Sequence, residues 1–427
     1  NVKMKESEAS VLDEVVVTGM GAQKKLTVTG AVTNVNVGDL KRFPTSNMSN
    51  ALAGNVPGII ARQTSGQPGK STSEFWIRGI STMGSSSPLV LVDGVERSFN
   101  NIDPEDIESF TILKDASATA VYGVRGANGV ILIKTKPGIA GKPSVSVDYY
   151  ESVTRLTKIP KLADGASYME AVNEARRNRG SEPIYSEAEV INTRLGTDPV
   201  LYPNVDWYDE MFKKNAFAQR ANFNIRGGNK KMDYFMSVGV KHSDGNLNSL
   251  SEKYGFSYNN NINVTNYDFI NNLNVQATPT TKLSLGLNAS IKDWKGPNAS
   301  TSSLFASTME HNPVDYPVSF PAGYGYDTED IMWGDKSGGP FATGGYMNPV
   351  ADYVTGYKTN HTSIITANFK LQQDFSRSGV TVSTSVTFVF VAGPHLQTFA
   401  GWIDLCQMES VSMSELGGVE PFAVMVD

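Results

Sequence analysis

Lys282-Leu-Ser-Leu-Gly-Leu-Asn-Ala-Ser-Ile291 puts Leu283, Leu285, Leu287, Ala289 and Ile291 at alternate positions, with Lys282, Ser284, Gly286, Asn288 and Ser290 between them. Successive side chains of an extended chain point to opposite faces, so this stretch is a strand with one apolar and one polar face. The same pattern recurs in Ile365, Ala367, Phe369 and Leu371 and in Val380, Val382, Val386 and Phe388. It recurs again near 144–154, 217–227, 232–243 and 267–277, giving seven such strands. A soluble sandwich and a membrane barrel both alternate in this way, so alternation alone leaves both open. The connections discriminate. Those at 227–231, 278–281 and 377–379 are tight, whereas those at 158–216, 244–266 and 293–362 are long. Tight turns at one end and long loops at the other are the habit of an outer-membrane β-barrel.

The long loops are where binding groups are expected. Tyr324, Tyr326, Trp333, Phe341 and Tyr346 lie among glycines in the third of them, able to stack on sugar rings, pack on a partner, or fold on one another. The first carries a helix for which Ser167 and Glu170 suggest a capping box and Tyr168, Ala171, Val172 and Ala175 an apolar stripe, ending at Gly180.

Composition narrows the classes. The 427 residues suggest two or three domains, 40% are hydrophobic, and no run approaches the ~18 apolar residues of a spanning helix. A net charge of −6 argues against nucleic acid as a partner. Cys406 is the single cysteine, and the four histidines are scattered, so neither a disulfide nor a zinc signature is expected. Asp327, Glu329, Asp330 and Asp335 lack EF-hand spacing, and no other metal or cofactor is implied. No nucleophile–base motif or paired carboxylate stands out, so catalysis is not expected. Gly123-Val-Arg-Gly-Ala-Asn-Gly129 follows a helix instead of opening one, which removes the anion-cradling geometry.

Ahead of the strands, residues 27–140 form a compact unit of short apolar runs and turns. Pro88–Val92 reads as a strand closed by the turn dipeptide Asp93-Gly94. Asp103 is placed to cap a helix opening at Pro104. Phe110–Leu113 and Val130–Ile133 read as buried strands, and Asp115 is expected to cap a second short helix stopped by Gly123. Before this unit, residues 1–26 are polar except for Val15-Val-Val-Thr-Gly19, whose β-branched run favours an extended strand.

The ordered series Ser49-Asn-Ala-Leu-Ala-Gly-Asn-Val-Pro-Gly58, Phe75-Trp-Ile-Arg-Gly79, Leu91-Val-Asp-Gly94, Ile112-Leu-Lys-Asp-Ala116 and Val121-Tyr-Gly-Val-Arg-Gly-Ala-Asn-Gly-Val130 resembles the plug domain of the SusC-like (RagA-like) TonB-dependent transporters of Bacteroidetes. The resemblance continues less sharply through the strands to about residue 390. It implies an α+β plug domain (27–140) followed by antiparallel transmembrane β-barrel strands (141–427), with 1–26 as the end of an N-terminal extension plus the coupling box. It also implies import of an oligosaccharide or oligopeptide across the bacterial outer membrane, with TonB, a SusD-like surface lipoprotein and outer-membrane lipid as partners. By motif match Val15, Val16, Val17, Thr18 and Gly19 would be the TonB box, which pairs with its partner by strand addition. Arg78, beside Gly79, would pair with acidic groups of the barrel wall or plug. Asp93, Gly94, Lys114, Asp115, Arg125, Gly126, Asn128 and Gly129 would be plug motif positions that define the fold. The alternatives are a siderophore- or vitamin-type receptor and a non-transporting surface adhesin, for which a coupling strand has no use.

Transporters of this kind close about 22 strands. The chain beyond residue 142, less its long loops, has room for about 11. An incomplete barrel is therefore expected. Residues 391–427 lose the alternation and match nothing in the family, which suggests a truncated product with a shifted reading frame near 390.

Overall fold

The computed structural model describes residues 15–18, 21–24, 32–41, 47–79, 86–100, 102–321, 331–335, 348–375, 380–393 and 396–400. The described residues begin with a hairpin of β1 (Val15–Thr18) and β2 (Gly21–Lys24). The plug follows: β3 (Val32–Val35), β4 (Ile59–Gln63), β5 (Ser73–Ile77), β6 (Leu89–Val92), β7 (Val95–Glu96), β8 (Ile107–Leu113) and β9 (Val130–Thr135). Its main sheet runs β3-β8-β9-β6-β7, with β6 and β9 parallel and the other pairs antiparallel, while β4 and β5 form a separate hairpin. Val130 to Ile133 are buried on both faces, as a continuous apolar run in a central strand requires.

The turn dipeptide behaves as its residues dictate. Asp93 and Gly94 both have positive φ (52° and 84°), the backbone of a type I′ turn, and close the pair Val92–Val95. The Asp93 carboxylate then accepts from Thr135 N and Oγ1, both at 2.9 Å, tying the hairpin to the last plug strand.

From residue 141 the chain becomes one antiparallel sheet in sequence order: β10 (Gly141–Arg155), β11 (Asn215–Gly228), β12 (Met232–Asp244), β13 (Asn263–Thr278), β14 (Thr281–Pro297), β15 (Tyr357–Phe375), β16 (Val380–Gly393) and β17 (Leu396–Ala400). The seven expected strands are present, each longer than its alternation suggests, and the sheet is open, with β10 and β17 at its edges. Two details depart from the sequence reading. The stretch 391–400 completes β16 and adds a short eighth strand, paired Val389–Ala400 to Gly393–Leu396. The β16–β17 connection is tight although it lies at the long-loop end.

The faces are inverted relative to a soluble sheet. Arg220, Asn222, Asn224, Ser237, Lys241, Asp268, Asn288 and Thr366 are buried on the side facing the plug. Val147, Phe223, Val238, Tyr267, Leu285, Phe369 and Phe388 are exposed on the other. A sandwich buries its apolar face, whereas a membrane barrel turns it outward, so the sandwich is excluded. The exposed apolar stretch is also staggered. Val145, lowest of the exposed valines on β10, is in register through Ile225, Met236, Asn271 and Leu287 with Ala367, near the top of the apolar run on β15. A flat apolar belt crossing tilted strands has this stagger.

The long loops fold together at one end over a second core. Trp207, 1% exposed, donates its indole N–H to Asn312 O at 2.9 Å and meets Tyr316 edge-on at 5.4 Å. Tyr353, Val350, Leu304, Leu247 and Ile262 fill the same cluster. In the first loop the helix is Gly165–Asn178, and its cap is Asp164, which accepts from Ser167 N; Ser167 and Glu170 do not form the expected capping box. The buried stripe is Ala166, Met169 and Asn173, shifted from the expected one because these residues meet the next helix, Glu187–Leu195, which carries a true capping box at Ser186 and Glu189.

Gly129 tests the packing of the plug. Its φ is 90°, and a Cβ would lie 2.7 Å from Ile77 Cδ1 and 3.1 Å from Leu113 O. Gly129→Ala should destabilise the plug by about 2–4 kcal/mol. Gly54→Ala, also at positive φ but in open space, should cost about 1 kcal/mol. The midpoint for urea-induced proteolysis of the plug, in chain folded in detergent, should fall in that order.

Candidate functional site: the plug seam and the leading strand

Three motifs far apart in sequence meet on the plug. Arg78 (φ 60°) and Gly79 (φ 98°) turn the chain at the end of β5, and Arg78 N donates to Gly58 O at 3.0 Å. The Arg78 guanidinium reaches Asp115 at 2.5 Å, and Lys114 Nζ donates to Pro57 O. Arg78 thus pairs within the plug; of the two options left open by the sequence, the wall is not the one taken. Because Asp115 is engaged in this pair, its side chain makes no cap bond to the helix Ala116–Thr119. Burial and the nearby Arg78 charge lower the pKa of Lys114. Arg125 pairs with Glu96, Asn128 Nδ2 lies 3.5 Å from Ser87 O, and Gly126 and Gly129 close a tight turn by a 3.0 Å backbone bond. All of these contacts join plug to plug.

The plug meets the wall through a different set of residues. The turn Pro104–Asp106 is held by Asp103, whose Oδ1 accepts from Glu105 N at 3.0 Å. The other oxygen of Asp103 lies 3.5 Å from Arg220 Nε on β11, with Asp103 fully buried. The Arg220 guanidinium stacks on Tyr150 at 4.3 Å, and Tyr150 Oη donates to Glu105 at 3.3 Å. Asn222 Nδ2 donates to both oxygens of Asp106 at 3.3 Å and contacts Ser237 Oγ at 3.1 Å. Asn272 Nδ2 donates to Thr135 Oγ1 at 2.7 Å and Lys136 O at 3.0 Å, and Lys292 Nζ donates to Gly69 O at 3.0 Å. Apolar contact reinforces these bonds: the wall residues Phe235 and Ile270 belong to the plug core beside Val92, Phe99 and Phe110. The sequence marked Asp103 only as a cap. Its role at the seam follows from the register of β10 to β13, which no local pattern carries.

Asp106 is the titratable centre of this seam. Burial, with a smaller push from Asp103, raises its carboxyl to about 7; the hydrogen bonds of Ser237 and Asn222 and the charge of Lys241 pull the other way. Among the described residues no group of three or more His, Cys, Asp or Glu could hold a metal ion.

The leading strand is not a free peptide. Val15, Val16, Val17 and Thr18 pair with Lys24, Gln23, Ala22 and Gly21, leaving one edge of β1 outside the hairpin. Gly19 lies outside the described residues. Of the loop aromatics, Trp333 is packed edge-on against Tyr254 at 4.8 Å and bridges to Ser319, so it belongs to the loop core. Tyr324, Tyr326, Phe341 and Tyr346 lie outside the described residues.

Residues 24–130 match the TonB-dependent Receptor Plug Domain family. The chain is 35% identical over 282 residues to TonB-dependent receptor P26 of Formosa agariphila, covering 62% of this chain and 27% of that one. It is 33% identical over 257 residues to TonB-dependent receptor SusC of Bacteroides thetaiotaomicron, covering 57% of this chain and 24% of that one. Over these stretches the sequence is similar to SusC-like TonB-dependent receptors. The chain spans about a quarter of the length of these curated relatives (27% and 24%). Its fold is that of the RagAB peptide importer in the open-open state, with a TM-score of 0.68 at 22% identity over 88% of this chain and 42% of that one.

The Asp106 pKa carries a pH signature. A carboxyl raised in the folded state stabilises that state fully below its ordinary range, and the contribution is lost as pH rises through the raised value. Attachment of the plug should therefore weaken between about pH 4 and about pH 7. Asp106→Asn, neutral throughout, should flatten that slope. Proteolysis of the plug in detergent-folded chain, measured from pH 4.5 to 8, should separate the two proteins most at the alkaline end.

Proposed function

We propose that the receptor to which this chain belongs imports an oligomeric nutrient, a glycan or a peptide, across the bacterial outer membrane. The observation that carries this reading is a folded plug held against the polar inner face of an outwardly apolar wall. A plug attached by hydrogen bonds and ion pairs can shift without exposing a large apolar surface, which suits a gate more than a permanent seal. The tight turns then face the periplasm and the fused loops face outward, with a SusD-like lipoprotein lying over the loops.

Val15 to Gly19 act as the TonB box. Energy enters when TonB adds a strand to β1, either along its free edge or in place of β2, since an isolated two-stranded hairpin is marginal in water. Arg78, Lys114, Asp115, Arg125 and Asn128 hold the shape of the plug and do not touch the nutrient. No catalytic step belongs to this function.

In the full-length receptor, Val16→Pro should cut nutrient uptake several-fold or more, because proline removes a backbone donor and fixes φ. Val16→Ala should cost far less, and binding of nutrient to whole cells should be unchanged in both. Uptake by Val16→Pro equal to the unmutated receptor would remove the coupling role. Mild solubilisation should recover the receptor with a lipoprotein; recovery without one, and with tight binding of an iron chelate, would replace the nutrient reading by a siderophore one.

A further inference from the structure

On the outward face of the wall, Asp293 of β14 and His361 of β15 are a registered cross-strand pair. His361 Nδ1 lies 2.5 Å from Asp293 Oδ1, and His361 Nε2 lies 2.9 Å from Ser363 Oγ. The order is carboxylate to Nδ1 and Nε2 to hydroxyl, in which the acid orients the imidazole and the imidazole can take the hydroxyl proton. The side chains of His361 and Asp293 are 61% and 51% exposed, so a reactant can reach them.

Location specifies the reactant. Asp293 stands one step above Ile291, and Ser363 one step above Ile365, where the apolar run of these two strands ends. In an outer-membrane barrel that boundary is where hydrocarbon gives way to headgroups, and it is the depth of lipid acyl esters. Beside Ser363 the neighbouring strand carries only Ala392 and then Gly393, which leaves room for a carbonyl group. The β15–β16 pairing stops at Ser363–Ala392, whereas β15 stays paired with β14 as far as Tyr357. Every second backbone N–H of β15 beyond Ser363 therefore has no strand partner among the described residues, and such donors are what a developing oxyanion requires.

We propose that Asp293, His361 and Ser363 form a nucleophilic relay on the outer surface of the wall that hydrolyses carboxylic esters, the acyl esters of membrane lipid being its substrate class. Ser363 Oγ bonds to the carbonyl carbon as its proton passes to His361 Nε2. The bond from that carbon to the alkoxy oxygen then breaks, and the leaving alcohol takes the proton from His361. Water attacks the acyl-serine, gives a proton through His361 back to Ser363 Oγ, and releases the fatty acid. Asp293 accepts the Nδ1 hydrogen bond throughout. The choice of lipid rests on the outer-membrane reading; the relay does not.

The test uses the full chain folded in detergent micelles, with plug protease resistance as the folding control. A fluorophosphonate probe should label Ser363, located by peptide mass spectrometry, and p-nitrophenyl butyrate should be hydrolysed. Ser363→Ala should abolish both. His361→Ala should lower hydrolysis about 100-fold or more, and Asp293→Asn should lower it while leaving Ser363 in place. Folded protein in which Ser363 is unlabelled, or in which Ser363→Ala hydrolyses the ester at the unmutated rate, overturns the relay. Cleavage of the soluble ester without fatty-acid release from phosphatidylethanolamine vesicles keeps the relay and overturns lipid as its substrate.

Discussion

A sheet that turns its apolar side chains outward cannot be stabilised by burying them against itself, and everything else in this chain follows from that inversion. The inner face is left with Arg220, Asn222, Lys241 and Asp268, groups that are costly to bury without partners. The plug supplies partners for two of them, Asp103 for Arg220 and Asp106 for Asn222, and the end of β9 for Asn272, while Lys241 and Asp268 pair with each other within the wall at 3.3 Å. Phe235 and Ile270 are exceptions on the inner face, and they are the two wall residues that enter the plug core. Plug and wall are thus each incomplete alone, in different ways. The plug core is completed by two wall side chains, and Arg220 of the wall takes its counter-charge from the plug.

How much of this could be read from residues depended on distance along the chain. The alternation of Leu283 to Ile291 and the turn at Asp93-Gly94 are local and translate directly into strand and hairpin. The strands nevertheless run past their apolar stretches. Beyond Val240, Tyr267 and Ile291 the outward residues become His242, Thr265 and Asp293, so the pattern fades while the ladder continues. That is why the pairing of Asp293 with His361 was invisible: the two are 68 residues apart and fall outside the recognisable part of either strand. The seam is hidden for the same reason. Nothing near Asp103 announces Arg220, and nothing near Arg78 says whether Asp115 or a wall carboxylate will be its partner.

The first loop shows the opposite failure, in which a local signal was present but lost to a stronger one. Ser167 can cap a helix, but Asp164 stands three residues earlier and takes Ser167 N itself, starting the helix sooner and rotating its buried face toward Ala166 and Met169. The loops as a whole are closer to a small domain than to connectors. They share the core around Trp207 and Tyr353, and Asn348 joins them by donating to both Val318 O and Gly334 O at 2.8 and 2.9 Å.

The strand order of the plug also has a mechanical meaning. β3 is the plug strand nearest the chain's beginning, it lies at the sheet edge, and it is held by only the four pairs from Val32–Leu113 to Val35–Phe110. Tension carried along the covalent chain from the segment before it arrives at β3 first, although β1 also lies against β8. An edge strand peeled away across the sheet opens one pair at a time, as a zipper does, whereas one drawn along its own axis shears all its bonds at once. β8 and β9, interior to the sheet and closest to the seam, stay shielded until β3 has gone. Peeled in that way, the plug would resist least at β3 and most where plug and wall share their core.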